Sequence, residues 1–346
     1  MELSEKVLEL LRGRNEPLSG EEMAAQLEVS RNSVWKAVQK LRSEGFTIQA
    51  VTNSGYQLVA ESGVFSPSNI ARRLTGTARC ADIRVLEQVT STNTAVKELA
   101  EQGSPEGTVV IAKLQTAGKG RLGRSFASPA GTGLYMSILL RPSFSAEDSL
   151  SITTAAAVAV AGAVEEVTGK NAMIKWVNDV YLDGYKICGI LTEASIDFET
   201  GGLRYAVLGI GVNITVPEGG FPEELRDIAG ALYERDAPPE TRTVLAAEIL
   251  NRFFGFYQTL TDRPFLPEYR RRSLLTGRKV TLVSGNTRQT GTVLGVDEEA
   301  RLQVRLESGE EAVFSAGEVT VEKDFLRSLR QGGAEKQKTG KEREEG

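Results

Sequence analysis

Nine consecutive residues, Gly118-Lys119-Gly120-Arg121-Leu122-Gly123-Arg124-Ser125-Phe126, hold three glycines, three cations and one aromatic ring. Glycine lets the backbone take positive φ and come close to a ligand, while Lys119, Arg121 and Arg124 can pair with a carboxylate and a phosphate together. The run therefore reads as a loop built to wrap an anion, with a solvated basic turn as the plain alternative. It is not a Walker loop, because it lacks the pattern G-x-x-x-x-G-K-[ST].

What such a loop can serve is limited by what the chain lacks. Its 346 residues include no histidine, which removes His-based triads, histidine general bases and most transition-metal sites together. Cys80 and Cys188 lie far apart in sequence and suggest neither a disulfide framework nor a cysteine zinc site, as fits a reducing cytosol. The chemistry falls to Lys, Arg, Asp, Glu and the backbone. A net charge of −5 argues against nonspecific coating of nucleic acid, so any DNA contact must come from a local patch. The charged start Met1-Glu2-Leu3-Ser4-Glu5 is unlike a secretory signal. The apolar run from Ala155 to Val164 is about half a bilayer span and reads as a buried helix of a cytoplasmic protein with no membrane partner. With 40% hydrophobic and 25% charged residues the chain is ordinary globular material, long enough for roughly two to three domains.

Helical periodicity at Leu3, Val7, Leu10 and Leu11 predicts a first helix, and Ser19-Gly20-Glu21-Glu22 opens a second with Met23 and Leu27 inward. Ser30 caps a third, whose Val34, Val38 and Leu41 share one face. Its other face carries Arg31, Asn32, Trp35, Lys36, Gln39 and Lys40, side chains suited to phosphates and base edges. Gly45 ends this helix. Phe46, Ile48 and Ala50 alternate, Asn53-Ser54-Gly55 turns the chain, and Tyr56 and Leu58 return. Three helices and a hairpin resemble a winged helix-turn-helix with residues 30–43 as recognition helix. A small helical protein-interaction module is the competing reading, mildly favoured by acidic residues being as common as basic ones over residues 1–62.

The stretch from Ser62 to Pro67 has linker composition. Strands are predicted at Ile83–Leu86, Val109–Ala112 and Leu134–Leu140, with Ser91-Thr92-Asn93-Thr94 capping a helix from Ala95 to Glu101. An Ala-rich helix over 153–167, a buried strand over Tyr205–Val212 and helices at roughly 223–234 and 243–260 follow. Between 276 and 321 short strands separated by turn residues suggest a small five-stranded barrel. The Gly, Lys, Glu and Gln composition of residues 331–346, with no apolar anchor, predicts disorder.

Five motifs stand in a fixed order: Ser91-Thr92-Asn93 with Gln115, the glycine loop, Lys175-Trp176-Val177-Asn178-Asp179, Lys186-Ile187-Cys188-Gly189-Ile190-Leu191, and Gly209-Ile210-Gly211-Val212-Asn213. Together they resemble the biotin–protein ligase family, and with the N-terminal winged helix the chain is similar to the bifunctional members that also repress a biotin operon. The resemblance covers nearly the whole chain apart from the tail and the stretch near Thr75 to Ala81. It implies an α+β multidomain fold. Residues 1–62 would be a winged helix-turn-helix, 63–82 a linker, 83–270 a central α/β catalytic domain with a mixed sheet, 271–325 an SH3-like barrel, and 326–346 a disordered tail.

The resemblance also implies activation of biotin by ATP, with Mg²⁺ accompanying the nucleotide, to biotinyl-5′-AMP. Transfer to a lysine of a biotin carboxyl carrier domain, of acetyl-CoA carboxylase or a related carboxylase, follows. Biotinyl-AMP would be the corepressor, promoting a homodimer that binds operator DNA. Lys186, Arg121 and Asp179 take the catalytic roles, Lys186 bridging the biotin carboxylate and the α-phosphate and Asp179 partnering a lysine or Mg²⁺. Ser91, Thr92, Asn93, Gln115, Lys119, Gly120, Arg121, Trp176, Lys186 and Gly189 would bind biotin; Arg121, Arg124, Phe126, Asn178 and Asn213 would bind ATP. Cys188 reads as packing rather than nucleophile. Lys119, Phe126 and Val177 stand where arginine, tryptophan and proline are frequent, which keeps charge and a stacking face while giving up a bidentate fork and ring area. Lipoate–protein ligase, which lacks a winged helix, and a metabolite-sensing repressor with an inactive core are the alternatives.

Overall fold

The computed structural model describes residues 2–61, 63–142, 149–196, 203–285, 287–322 and 324–331. The chain divides into two units, Met1–Arg72 with Pro238–Val244, and Arg73–Ala237 with Leu245 onward.

In the first unit, α1 (Leu3–Leu11), α2 (Gly20–Gln26) and α3 (Arg31–Ser43) close around Val7, Leu8, Leu11, Met23, Val34, Val38 and Leu41. Ser19 and Ser30 accept backbone N–H donors at the starts of α2 and α3, as N-caps do. Strands β1 (Thr47–Val51) and β2 (Gly55–Ala60) form an antiparallel hairpin. The expected inward alternation holds for Phe46 and Ile48, but Ala50 is exposed, because only the first part of β1 faces the helices. The stretch read as linker is folded instead. Ser66 caps a short helix, α4 (Pro67–Ala71), with Pro67 at its start, and Gly76–Cys80 forms a 3₁₀ turn. Ser-Pro looks like linker composition, yet it is also the signal of a helix N-terminus.

The second unit is built on a seven-stranded sheet of β3 (Asp82–Val89), β4 (Thr108–Gln115), β5 (Gly133–Leu140), β6 (Met173–Lys175), β7 (Asp179–Leu182), β8 (Tyr185–Ile196) and β9 (Leu203–Asn213), in the spatial order β3-β4-β5-β9-β8-β7-β6. Only β3 and β4 run parallel; the other neighbours are antiparallel, so the sheet is mixed. Every residue of the central strand β5 is buried, as a strand covered on both faces requires.

Helix α5 (Thr92–Glu101) packs on β4, β5 and β9 through Val96 and Ala100. It begins three residues before the predicted start, so Thr92 and Asn93 lie in its first turn and their side chains serve the site rather than capping it. The Ala-rich segment extends to α6 (Ser149–Thr168), which is long and apolar enough to cross a membrane but packs on β8 instead, with its alanines buried. Helices α7 (Thr241–Tyr257) and α8 (Leu266–Arg271) follow. No helix spans 223–234: residues Glu223–Leu225 make a 3₁₀ turn, and the rest forms a strap that bridges Lys186 at Ala229 and Thr215 at Tyr233. Tertiary pairing overrides the helix formers there.

The C-terminal part is a five-stranded antiparallel sheet: β10 (Lys279–Ser284), β11 (Thr287–Val296), β12 (Leu302–Leu306), β13 (Glu311–Phe314) and β14 (Glu318–Val321), ordered β13-β12-β11-β10-β14. The predicted disorder from 326 does not hold at first. Residues 324–331 form a helix, α9, with Phe325, Leu326, Leu329 and Arg330 half-buried on one face. Leu326 and Leu329 give this first part of the tail an apolar face, and they precede the Gly, Lys, Glu and Gln stretch from 331; residues 332–346 lie outside the described residues.

Candidate active site

The glycine loop leaves β4 and closes over the ends of β8 and β9. Its backbone turns on itself: Gly120 N–H donates to Arg124 O at 2.7 Å and Phe126 N–H to Gly118 O at 2.8 Å. Its cations are held outward from this turn. Lys119 Nζ donates to Thr94 Oγ1 at 3.0 Å, Arg121 donates to Asn178 Oδ1 at 2.9 Å and to Gly317 O at 3.4 Å, and Arg124 pairs with Glu318 at 2.5 Å. The C-terminal sheet thus supplies the loop's outer anchorage.

Below the loop lies a cavity of about 250 Å³. One wall is a buried polar bed. Gln115 Oε1 accepts from the Thr92 N–H at 2.8 Å and from its hydroxyl at 3.1 Å, while Gln115 Nε2 donates to Ser128 Oγ at 2.8 Å. Asn93 is fixed at both ends of its amide, accepting from Ser137 Oγ at 2.6 Å and donating to Glu193 at 2.7 Å. Burial would push the Glu193 carboxyl up, but hydrogen bonds from Lys97 and Asn93 hold it below the ordinary range.

The opposite side carries the charge. Lys186 Nζ stands 2.6 Å from Asp179 Oδ1, across neighbouring strands β7 and β8. Lys175 also lines the cavity, and burial lowers its pKa against the pull of Asp179. Trp176 is 4% exposed, its indole N–H donating to Ala300 O at 3.1 Å, so one edge is pinned while the residue contributes to the wall.

Phe126 lies over Gly189 and Gly211; a Cβ at Gly211 would fall 2.5 Å from the ring. The ring meets Tyr135 edge to face, with centroids 6.4 Å apart. Cys188 is fully buried and its thiol is pushed up by that burial, the behaviour of a packing residue.

All the ligase-site residues named from sequence line this cavity: Ser91, Thr92, Asn93, Gln115, Lys119, Gly120, Arg121, Arg124, Phe126, Trp176, Asn178, Asp179, Lys186, Gly189 and Asn213. Two asparagines expected on the nucleotide have structural partners. Asn178 Nδ2 donates to Ile190 O, and Asn213 Nδ2 donates to Gly230 O, both at 2.9 Å. Sequence reasoning gave no role to Lys175, although it opens one of the five motifs, or to Glu193, two residues past another. It also missed Gly317, Glu318, the strap residue Ile228, and Phe221 and Leu225 just before the strap, which line the cavity but stand far from every motif.

In the helix-turn-helix unit, Arg31, Asn32, Trp35, Lys36 and Lys40 are exposed on α3 and Gln39 is half-buried; Trp35 is 49% exposed. Lys40 is paired with Glu2, so its charge is partly answered within the unit.

A mixed-sheet core with a cation-lined small-molecule pocket, in a chain that also carries a helix-turn-helix module, defines an anion-handling enzyme equipped with a nucleic-acid-reading element. Residues 85–213 match the biotin/lipoate A/B protein ligase family, and residues 4–57 match an HTH domain. The chain is 34% identical over 305 residues to the bifunctional ligase/repressor BirA of Bacillus subtilis (strain 168), covering 87% of this chain and 93% of that protein. It is 31% identical over 243 residues to the biotin–[acetyl-CoA-carboxylase] ligase of Mycobacterium tuberculosis, covering 68% of this chain and 87% of that protein. The structure of the biotin protein ligase from Aquifex aeolicus in complex with biotin and ATP matches with a TM-score of 0.57 at 30% identity, over 70% of this chain and 98% of that one. The chain belongs to the biotin/lipoate A/B protein ligase family.

Proposed function

We propose that the chain activates biotin with ATP and passes it to a lysine of a carrier domain, and that its helix-turn-helix makes it a repressor responsive to the activated intermediate. One observation carries the ligase reading: Lys119, Arg121 and Lys186 converge on a single cavity whose other wall is a neutral, hydrogen-bonding bed. In the first step a biotin carboxylate oxygen attacks the α-phosphorus of ATP and pyrophosphate leaves. Two anions must meet, so the site has to neutralise charge rather than supply a base. Lys186 is assigned to the carboxylate and α-phosphate, Arg121 and Lys119 to the phosphates and the closing loop, and Phe126 with Arg124 to the nucleotide. In the second step a carrier lysine attacks the acyl carbon of the mixed anhydride and AMP leaves. The loop over the cavity shields that anhydride from water.

Ser91, Thr92, Asn93 and Gln115 suit the ureido ring, and Trp176 the apolar part of biotin. Asn178 and Asn213 are assigned to holding the Arg121 side chain and the strap. Among the described residues no cluster of three or more Asp, Glu or Cys side chains could hold a metal ion, and Asp179 is engaged by Lys186. Magnesium is assigned to the nucleotide, with Asp179 as the residue that could reach it.

On the DNA side, the exposed face of α3 is assigned to an operator, and a homodimer in the cytoplasm would present two such helices. An SH3-like barrel is assigned to the C-terminal sheet on its order, a four-strand meander whose fifth strand pairs back on the first, with β13 and β14 as its two edges. Biotin-dependent exchange of pyrophosphate into ATP tests the ligase. Exchange with lipoate instead of biotin would redirect the reading to a lipoate ligase, and exchange with neither would leave a sensor without chemistry.

A further inference from the structure

Helix α9 lies outside the groups assigned to the reaction, yet its half-buried face is turned toward the hairpin that carries Lys186. Gly184, at the β7–β8 turn with φ 77°, would place a Cβ 2.7 Å from Leu326 O and 3.1 Å from Leu329 Cβ, so the turn admits the helix only as glycine. Arg330 then makes three contacts there. Its guanidinium stacks over the Tyr185 ring at 4.2 Å from the centroid, its Nε donates to Gly184 O at 3.3 Å, and its terminal nitrogen donates to Asp227 O at 2.7 Å. Phe325, at the other end of α9, lies under Arg278 at 4.1 Å.

Gly184 belongs to the hairpin that carries Lys186, and Asp227 to the strap on which the Lys186 backbone is held. Lys186 N–H donates to Ile228 O at 2.8 Å, and Gly230 N–H donates to Lys186 O at 2.9 Å. Tyr185 packs so closely on the strap that a Cβ at Gly230 would fall 2.5 Å from its own. Asn213 holds the strap from the far side, at Gly230. Arg330 closes the ring between hairpin and strap at the near side, one residue from Ile228 and two from Lys186. The strap and the turn that leads into it bring Phe221, Leu225 and Ile228 to the cavity wall.

We propose that Arg330 is a positioning residue for Lys186: by tying the β7–β8 turn to the strap it fixes the backbone from which the lysine reaches the reacting anions. The kinetic part of this rests on the ligase reading above; the geometric part does not. A planar guanidinium suits the task, since it donates in two directions while stacking on a ring. Arg330 touches no reacting group, so its loss should slow the reacting step through misplacement of Lys186, while the polar bed keeps its hold on biotin.

The test uses the full chain with Arg330→Ala and Arg330→Lys, and Arg327→Ala, whose side chain is exposed and paired with Asp324, as control. In Arg330→Ala, hydrogen exchange at the Lys186 and Gly230 amides should quicken on the order of tenfold, and kcat of biotin-dependent pyrophosphate exchange should fall on the order of tenfold. The biotin dissociation constant should change by less than about twofold. Arg330→Lys should recover part of both losses, and Arg327→Ala should match the unaltered protein. Unchanged amide protection, unchanged kcat, or a kcat loss matched by an equal loss of biotin binding would each overturn the proposal. If the unaltered protein shows no biotin-dependent exchange, the ligase reading fails instead, and the amide measurement still decides whether Arg330 holds Lys186.

Discussion

The Lys186 ammonium stands 2.6 Å from Asp179 Oδ1, an ion pair formed across the neighbouring strands β7 and β8. The ion pair holds the ammonium at the cavity wall, where an arriving carboxylate or phosphate shares its charge. Lys186→Ala should therefore lower the adenylation rate by about a hundredfold or more, the scale of losing one preorganised electrostatic group. Pyrophosphate exchange in the folded variant checks this, and a near-normal rate would remove Lys186 from the reaction.

Phe126 occupies the space that Gly211 leaves open. Gly211→Ala should displace the ring and raise KM for ATP by about fivefold, the lower end of overpacking costs. In a Phe126→Ala background the same change should add little. Equal effects in both backgrounds would show that the ring is not what the glycine accommodates.

Glu193 links Asn93 to Lys97. Its carboxyl is held below the usual value in the folded protein, so the stability it contributes is present above its unfolded pKa of about 4.3 and is lost as pH falls through the lower folded value. Denaturation of Glu193→Gln beside the unaltered protein should show a difference at neutral pH that shrinks below about pH 4. A constant difference across that range would deny the linkage. KM for biotin should rise in the same variant, since the carboxylate that fixes one end of the Asn93 amide becomes a weaker, neutral acceptor.

On the recognition helix, Lys36 is exposed. Lys36→Ala should weaken operator binding and reduce the slope of log affinity against log salt by about one unit, with ligase activity intact. An unchanged slope would return α3 to a protein-interaction role.

Biotinyl-adenylate should order the glycine loop and thereby favour the dimer that two half-sites require. A coupling of about 1 to 3 kcal/mol corresponds to a dimer constant tightened by roughly 5- to 150-fold. Sedimentation equilibrium with and without the adenylate measures it; equal constants would make the loop a catalytic lid alone.

What the sequence disclosed follows from where its signals are local. The α3 cap, the glycine loop and the motif residues each depend on neighbours a few positions away, and all of these features recur in the structure. Capping chemistry misled at Thr92 and Asn93, because the same side chains that suit a helix start are needed by Gln115, Ser137 and Glu193. Helix propensity misled at 223–234, where the Lys186 backbone offers hydrogen bonds that local sequence cannot announce. Glu318 and Arg330 were invisible for the same reason: their partners, Arg124 and Gly184, come from distant parts of the chain.

The last strand's share in the pocket bears on the order of synthesis. The three N-terminal helices and their hairpin end by Ala60, whereas the glycine loop finds Gly317 and Glu318 only when β14 has been made. At about 5 to 20 residues per second, a ribosome completes the DNA-facing helices well before the loop's anchor emerges. A chain broken off in that interval would carry a finished recognition helix and a pocket whose glycine loop lacks its outer anchor.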